Sequence, residues 1–352
     1  MIREGIQKLV EGNHLTYEEA ATIMTEVMSG QATSNQTAAF LTALRAKGEA
    51  VEELIAFASV MKRHCRQIRP KVQGRLLDTC GTGGDKIKTF NVSTAAALVI
   101  AGAGVSVAKH GNRGVTSKCG SADVLEYLGL NLALEPQNTA GIIEKVGVGF
   151  MFAPAFHPAM KYAAEPRREI GIRTIFNLLG PLTNPANADA QILGVYDQKL
   201  VVPIAFALQK LGCKEAMVVH GLDGLDEIST VGKTVIAHLK NGNVCKTEFT
   251  PADFGLTQAQ ISDLLCASVE ESAHILFKIL TGKEKSTAKV DLVLINAAAG
   301  IMVTGKASDF KEGFELAQQS IDSGAAYAKL KELIEASGSN PTKLTELETK
   351  YA

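Results

Sequence analysis

The sequence predicts an α/β fold, in which a small all-helical domain precedes a larger α/β domain with a mainly parallel central sheet flanked by helices. Up to Pro70 the apolar residues recur with helical periodicity, whereas from Gly74 onward strand-like runs alternate with helix-like runs. A chain of 352 residues is long enough to form two domains. We therefore expect a helical domain at 1–70 and an α/β domain at 74–352.

Three helices are expected in the first domain. Thr16 and Glu19 have the spacing of a capping box, in which each side chain accepts a hydrogen bond from the other residue's backbone N–H group. Ser34 or Asn35 is expected to cap the second helix, and the third is expected over 51–66.

The second domain is expected to alternate strands with helices. Strands are expected at 75–78, 105–108, 216–220, 234–239 and 292–295, and helices at 93–102, 122–128, 200–211 and 310–323. Two segments rich in Pro, Gly and Asn, 150–158 and 178–187, are expected to be ordered loops or hinges near a ligand. Because ligands of such folds collect at the carboxyl ends of the strands, motifs that follow strands are expected to share one crevice.

The composition excludes several classes of function. The net charge is -1, which gives no general attraction to nucleic acid or to an anionic membrane. The sequence shows no apolar run of bilayer length and no signal-peptide pattern. We therefore expect no nucleic-acid partner, no membrane partner and a cytoplasmic location. The 6 cysteines include no C-x-x-C pair and are expected to be reduced.

A glycine-rich turn at 78–85 follows the first expected strand. Its glycines let the backbone approach a bulky anion, and the helix expected next directs its positive N-terminal end at the same place. The turn matches neither the nucleoside triphosphatase pattern nor the dinucleotide pattern. A turn without a ligand is the alternative, but Asp85, Thr89, Ser93 and Thr94 offer groups for phosphate oxygens or a metal. The turn therefore predicts a phosphate or pyrophosphate site.

A second loop, 109–121, follows the strand expected at 105–108. It combines cationic side chains with glycines and hydroxyl groups, and such a loop can fold over a phosphate. A solvated basic loop is the alternative interpretation.

Asp226 and Glu227 are adjacent carboxylates in a glycine-flanked loop after another expected strand. Carboxylate oxygens are ligands that Mg²⁺ prefers, usually together with water and substrate phosphates. A solvated acidic turn is the alternative, but carboxylates that face a phosphate site would repel the phosphate unless a divalent cation lay between them. One of the arginines Arg167, Arg168 and Arg173 could form a bidentate pair with a carboxylate on a second substrate. An exposed arginine without a ligand is the commoner situation.

Several motifs occur together and extend over nearly the whole chain. They are 81–85, 91–94, 109–113, 171–177, 180–185 and 226–229. In this combination the sequence resembles anthranilate phosphoribosyltransferase, a family of the nucleoside-phosphorylase-like phosphoribosyltransferases. The resemblance implies transfer of the 5-phosphoribosyl group from phosphoribosyl pyrophosphate to the amine of anthranilate, which gives N-(5-phosphoribosyl)anthranilate and pyrophosphate. This reaction is the second step of tryptophan biosynthesis from chorismate.

The resemblance also implies an assembly and a cofactor. We expect a homodimer, a helical domain that includes the segment at about 166–180, and Mg²⁺ with two ions per monomer. Association with anthranilate synthase is a further expectation from the family.

The resemblance implies the site residues position by position. Phosphoribosyl pyrophosphate is expected at Gly81, Gly84, Asp85, Thr89, Asn91, Val92, Ser93, Thr94, Lys109, His110, Gly111, Asn112, Arg113, Gly114, Val115, Thr116, Ser117 and Ser121. Anthranilate is expected at Gly81, Asn112, Arg167, His110 and Pro181, and Mg²⁺ at Ser93, Asp226 and Glu227. Catalytic roles are expected for Lys109, Asp226, Glu227 and Arg167.

Two alternative functions share this architecture. A pyrimidine nucleoside phosphorylase-like enzyme usually carries an added C-terminal domain, which the sequence does not provide. A non-catalytic nucleic-acid-binding paralogue should have a basic surface and a damaged acidic pair. The net charge of -1 and the intact pair Asp226 and Glu227 argue against this second alternative.

Overall fold

One mixed sheet forms the centre of the molecule. The structure is a computed structural model and describes residues 1–84, 87–114 and 119–352. Within these ranges the strands are β1 (Leu76–Gly81), β2 (Ser106–Gly111), β3 (Val148–Phe152), β4 (Ala190–Gly194), β5 (Glu215–Gly221), β6 (Thr234–Lys240) and β7 (Asn243–Phe249). Their order is β3-β2-β1-β4-β5-β6-β7, and the first five in that order run parallel. β6 pairs with β5 in antiparallel orientation, and β7 pairs with β6 in the same way. The mainly parallel sheet expected from the sequence is therefore confirmed.

Helices cover both faces of this sheet. Before β1 lie α1 (Ile2–Val10), α2 (Tyr17–Met28), α3 (Ser34–Lys47) and α4 (Val51–His64). The later helices are α5 (Val92–Gly102), α6 (Ser121–Tyr127), α7 (Pro136–Val146), α8 (Ala153–Phe156), α9 (Lys161–Ile170), α10 (Phe176–Leu182), α11 (Val201–Lys210), α12 (Ile261–Leu264), α13 (Val269–Leu280), α14 (Thr287–Val303), α15 (Phe310–Asp322), α16 (Ala325–Ala336) and α17 (Thr342–Lys350). In the described ranges, no helix is both long and apolar enough to cross a membrane.

The two faces of the sheet belong to different hydrophobic cores because side chains alternate along each strand. Leu193 and Val218 pack into a core that the N-terminal helices share with α9, α10 and α11. Ile192 and Met217, their neighbours in sequence, pack on the opposite side with α5, α13 and α14. The N-terminal helices therefore belong to the core on one face of the sheet, where α4 packs on α10 and α11 and α11 packs on β5 and β6.

The helix caps show how local sequence sets the N-terminal elements. The predicted capping box of α2 is confirmed, since the Thr16 hydroxyl accepts from Glu19 N at 3.3 Å and Glu19 Oε2 accepts from Thr16 N at 2.8 Å. The prediction that Ser34 or Asn35 caps α3 is wrong, because the cap lies just before Ser34. Thr33 caps α3 because its backbone is extended and its hydroxyl accepts from Gln36 N at 3.2 Å.

Other expectations also differ from the structure. Within the described residues, four helices precede β1 rather than three, because α1 lies before the first predicted helix, and β3, β4 and β7 were not predicted. Residues 292–295 are not a strand but the middle of α14, where nearly every side chain is buried and the apolar run loses its helical period. The segment 150–158 contains the end of β3 and all of α8, and the segment 178–187 begins inside α10. Proline and glycine suggested loops there, but Pro181 lies inside α10.

Candidate active site

A cavity of about 340 Å³ opens at the carboxyl ends of β1 and β2. The switch point of the sheet lies beside it, between β1 and β4. From there the chain adds β2 and β3 on one side and β5 to β7 on the other. The cavity collects most of the predicted positions from all three motifs. Its walls include Gly81, Gly84, Thr89, Asn91, Val92, Ser93, Lys109, His110, Gly111, Asn112, Arg113, Gly114, Ser121, Arg167, Pro181, Asp226 and Glu227.

The glycine turn after β1 packs against the acidic loop after β5. Gly83 and Gly84 have φ of +64° and +79°, in the left-handed region that favours glycine. Gly83 N donates to Asp226 Oδ2 at 3.2 Å, and a Cβ on Gly81 would collide with the same carboxylate. The glycines therefore allow backbone N–H groups and a carboxylate to occupy one small volume.

Lys109 brings a positive charge into the cavity wall from the end of β2. Its side chain is almost fully buried, and its Nζ donates to Thr79 O at 2.6 Å and to Ser93 Oγ at 3.2 Å. Burial lowers the pKa of Lys109, while the nearby carboxylate of Asp78 opposes this change. These two acceptors are neutral oxygens, so the ammonium group can still attract an anionic ligand.

Asp226 and Glu227 form the acidic side of the cavity, and the donor set suits a hard divalent cation. Burial raises the pKa of Asp226, although the N–H of Gly83 counteracts this effect. A buried carboxylate that accepts from a backbone N–H is favoured further by a nearby positive charge, which a metal ion would provide. Among the described residues no three His, Cys, Asp or Glu side chains cluster as a metal site. An ion here would therefore need further oxygen ligands from a substrate or water.

Asn296 holds the acidic loop in place, and the sequence analysis missed it. Its Oδ1 accepts from Ile228 N at 2.9 Å, and its Nδ2 donates to Ile228 O at 3.0 Å and to Leu292 O at 2.8 Å. Ile228 directly follows Glu227, so this buried amide fixes the backbone beside both carboxylates. A lone amide in the apolar run of α14 was the available signal.

A second side of the cavity is built by α9 and α10. Arg167 lines the cavity with its Cζ 5.1 Å from the centre of the Phe176 ring, and burial lowers the pKa of this arginine. The neighbouring Arg168 is exposed. Gly180 and Pro181 complete this wall from α10. This wall therefore places the guanidinium group of Arg167 beside the apolar side chains of Phe176 and Pro181. Such a combination suits a ligand with an aromatic ring and a carboxylate.

Two buried histidines stand between the strands and α10. The rings of His110 and His157 lie 5.0 Å apart, and His110 Nδ1 is 3.2 Å from Gly180 O. Burial lowers the pKa of His110 to about 4 and that of His157 to about 3, so both rings are neutral at pH 7. His157 was not among the predicted site residues, because a single histidine between prolines and alanines carries no specific signal.

Some predicted positions do not reach the cavity in the described structure. Thr94 is buried in the first turn of α5 and is not part of the cavity wall. Arg113 lines the cavity, but its guanidinium group is held by Asp123 and Glu126. The predicted residues Asp85, Val115, Thr116 and Ser117 lie outside the described residues.

Distant segments add lining that the sequence analysis did not find. Cys266 N donates to Lys88 O at 2.9 Å, and Thr89 and Leu265 form an isolated β-bridge. This pairing brings Cys266 and Ala267 to the cavity beside the glycine turn. The two segments are far apart in sequence, so no local pattern indicated their contact.

The fold and the cavity define a class of protein. Residues 73–327 match a family described as "Glycosyl transferase family, a/b domain", and residues 3–65 match "Glycosyl transferase family, helical bundle domain". These matches agree with the two kinds of architecture in the structure. The chain is thus a glycosyltransferase of the type that combines a helical bundle with an α/β unit.

Relatives and solved structures narrow the class. Anthranilate phosphoribosyltransferase from Methanocorpusculum labreanum is 52% identical over 96% of this chain and 98% of its own length. The enzyme of that name from Pelotomaculum thermopropionicum is 51% identical over 96% and 97%. The crystal structure of anthranilate phosphoribosyltransferase from Thermus thermophilus has a TM-score of 0.88 at 41% identity, over 95% of this chain and 99% of the other.

A further neighbour carries ligands. The structure of anthranilate phosphoribosyltransferase from Saccharomyces cerevisiae in complex with PRPP and Mg has a TM-score of 0.86 at 30% identity. It covers 96% of this chain and 98% of its own. The chain described here belongs to the anthranilate phosphoribosyltransferase family, and it is an enzyme.

Proposed function

We propose that the cavity transfers the 5-phosphoribosyl group of phosphoribosyl pyrophosphate to the amine of anthranilate, with pyrophosphate as the second product. This is the second step of tryptophan biosynthesis from chorismate. One observation carries the assignment of the site. The glycine turn and Lys109 form a cationic and N–H-rich wall that meets the carboxylate of Asp226 directly, with Gly83 N 3.2 Å from Asp226 Oδ2.

The phosphoribosyl side of the proposed site is the wall of β1, β2 and α5. The glycine turn and the positive N-terminal end of α5 both line the cavity, and this arrangement favours an anion such as phosphate. Lys109 adds an ammonium charge where the pyrophosphate leaving group gains negative charge. Groups placed in advance around a leaving group stabilise charge that develops in the transition state. The predicted roles of Asp85, Val115, Thr116 and Ser117 belong to the same proposal.

Asp226, Glu227 and Ser93 would hold Mg²⁺, and we propose two ions per monomer. When bound, the metal supplies positive charge that neutralises the pyrophosphate as it departs. Support comes from the donor set, since two carboxylates and a hydroxyl line one cavity. The structural neighbour from Saccharomyces cerevisiae is described as a complex with PRPP and Mg, which supports the use of Mg²⁺.

The acceptor side is the wall of α9 and α10. Arg167 would pair with the anthranilate carboxylate, while Asn112, Gly81 and Pro181 shape the space around the ring. An aryl amine is already neutral at pH 7, so attack on the ribose carbon needs no strong base beforehand. The neutral ring of His110 fits this requirement, because it adds no charge beside the amine. Positioning of two bound substrates supplies much of the acceleration.

Larger-scale features complete the proposal. The helical domain comprises 1–70 with a contribution from about 166–180, and the α/β domain comprises 74–352. Packing of α9 on α2 and α3, and of α10 on α4, supports this division. We also propose a homodimer, a cytoplasmic location and an association with anthranilate synthase. Light scattering behind a sizing column tests the dimer, and limited proteolysis tests the domain boundaries.

The reaction itself is tested by following anthranilate fluorescence. Mixing the chain with phosphoribosyl pyrophosphate, Mg²⁺ and anthranilate should cause loss of that fluorescence, and omission of Mg²⁺ should prevent it. Replacing Asp226→Asn and Glu227→Gln together should abolish turnover at ordinary Mg²⁺ concentrations. Full activity of this double variant would remove the metal role of the acidic pair, and an inactive wild-type chain would contradict the proposed reaction. Asp223→Asn, in the same loop but outside the cavity wall, gives a control for damage to the loop.

A further inference from the structure

The loop after β2 is closed at its base by contacts between its two sides. Asn112 O accepts from Ala122 N at 3.2 Å. A Cβ on Gly120 would collide with Gly114 N and with the carbonyl carbon of Arg113. The two sides therefore touch so closely that only glycine fits at 120. We call the contact between 112–114 and 120–123 the loop neck.

Asp123, in the first turn of α6, joins both sides of the loop neck. Its Oδ2 accepts from Gly114 N and from Gly120 N, each at 2.9 Å. Its Oδ1 accepts from Arg113 Nη1 at 3.1 Å. One carboxylate thus receives two backbone N–H groups from opposite sides and a guanidinium group.

The charges at the loop neck support this arrangement. Burial raises the pKa of Asp123, but the N–H groups of Gly114 and Gly120 and the charge of Arg113 together hold that pKa below its ordinary value. Arg113 in turn forms two bonds with Glu126, at 2.6 and 2.9 Å. Its Cζ also lies 5.6 Å from the centre of the Phe152 ring at the end of β3. Asp123 is therefore an ionised carboxylate in a fixed network.

The residues that Asp123 holds face the cavity, whereas Asp123 does not. Asn112, Arg113, Gly114 and Gly120 line the cavity, and Asp123 is absent from its wall. Asp123 can therefore influence a bound substrate only through the loop neck. Arg167 and Pro181 of the proposed acceptor wall come from other elements. Asn112 is shared by the loop neck and the proposed acceptor side, but Ala122 N holds its carbonyl and Asp123 does not bond it.

We propose that Asp123 is a positioning residue for phosphoribosyl pyrophosphate, because its carboxylate keeps the loop neck closed before the substrate arrives. The inference rests on the proposed function of the cavity. A loop neck that is ordered in advance costs less conformational entropy when the site binds a ligand. Loss of the Asp123 carboxylate should therefore weaken the use of phosphoribosyl pyrophosphate much more than the use of anthranilate.

Three variants test this role. Asp123→Ala removes the acceptors for two N–H groups and for Arg113, so KM for phosphoribosyl pyrophosphate should rise about tenfold or more. KM for anthranilate should change by less than about threefold. Asp123→Asn keeps one oxygen for the two N–H groups and should lie between Asp123→Ala and the wild type. Glu126→Gln is the matched control, since it weakens the hold on Arg113 but leaves the bonds between the two sides intact.

A second measurement separates positioning from general damage. Hydrogen exchange of the amides in 111–114 and 119–122 should be faster in Asp123→Ala without substrate, while the melting temperature stays close to that of Glu126→Gln. Calorimetric binding of phosphoribosyl pyrophosphate with Mg²⁺ should weaken by the same factor as KM.

The outcomes distinguish the inference from the proposed function. Wild-type values of KM and of affinity in Asp123→Ala would overturn the positioning role, and so would equal increases in KM for both substrates. If Asp123→Ala does not fold, Asp123→Asn decides by the same two criteria. If the wild-type chain shows no turnover, the proposed function fails, whereas exchange and calorimetry still test the loop neck.

Discussion

Replacing Asn296→Leu gives a sharp test of how α14 supports the acidic loop. The side chain is 2% exposed and bonds both the N–H and the C=O of Ile228, at 2.9 and 3.0 Å. Leucine has a similar branched shape but offers neither donor nor acceptor. The substitution would leave two buried backbone groups without partners, next to Glu227.

The expected loss of stability follows from those bonds. Each unpaired buried backbone group costs about 1–3 kcal/mol, and the added apolar burial of leucine returns about 1–2 kcal/mol. The net loss is therefore about 3 kcal/mol. With about 2.1 cal/mol/K per residue, the 352 residues give an unfolding entropy of about 0.7 kcal/mol/K, so the melting temperature should fall by about 4 °C.

Thermal melting followed by circular dichroism measures the loss of stability. Turnover as a function of Mg²⁺ concentration measures the effect on the acidic loop. We expect a higher Mg²⁺ requirement because the carboxylates of Asp226 and Glu227 lose their fixed backbone. Asn243→Leu, at an exposed position of β7, is the control and should change neither quantity. An unchanged melting temperature in Asn296→Leu would refute the assignment of these hydrogen bonds to stability. An unchanged Mg²⁺ requirement would show that the acidic loop holds its shape without Asn296.

Three further predictions concern charged groups. Glu53 is fully buried and paired with Lys47, whose Nζ lies 2.5 and 2.7 Å from the two carboxylate oxygens of Glu53. Glu53→Ala should therefore lower the free energy of unfolding by about 3–5 kcal/mol in urea titration. A loss below about 1 kcal/mol would contradict this role. Burial raises the pKa of Asp78 from 3.8 to about 6, so its folded form binds a proton more tightly than its unfolded form. The free energy of unfolding should therefore fall by up to about 3 kcal/mol as pH rises from about 4 to about 6, relative to that of Asp78→Asn. If the free energies of the two proteins changed in parallel with pH, the raised pKa of Asp78 would be contradicted. Arg167→Ala should raise KM for anthranilate about tenfold or more, because the carboxylate of anthranilate loses its cationic partner. KM for phosphoribosyl pyrophosphate should change little, and the Arg168→Ala control should change neither value. A larger effect on phosphoribosyl pyrophosphate than on anthranilate would assign Arg167 to the other substrate.

The sequence alone was sufficient for features that depend on neighbouring residues. The capping box of Thr16 and Glu19, the alternation of strands and helices, and the glycine turn after β1 are local patterns with local causes. The acidic pair was also visible, because two adjacent carboxylates between glycines are unusual. Of the predicted site residues within the described ranges, all except Thr94 line one cavity.

Features with distant partners escaped the sequence analysis. The middle of α14 was predicted as a strand, since a helix buried on all sides shows no polar face to reveal its period. Asn296, His157 and Cys266 gained their places in or near the site only through contacts with remote segments. Arg113 was predicted from the sequence to bind phosphate, but its guanidinium group donates to two carboxylates of α6, those of Asp123 and Glu126.

The sequence by itself determined the family, the fold class and the chemical type of each motif, because these depend on residue type and short spacing. Tertiary structure decided which side chains share a volume, how deeply each charge is buried and which backbone groups are held in place. Burial and hydrogen-bond geometry depend on every element that packs around a group, and those elements come together only when the sheet forms. The loop neck at Asp123 is an example, since its meaning appears only where two sides of one loop meet beside a cavity.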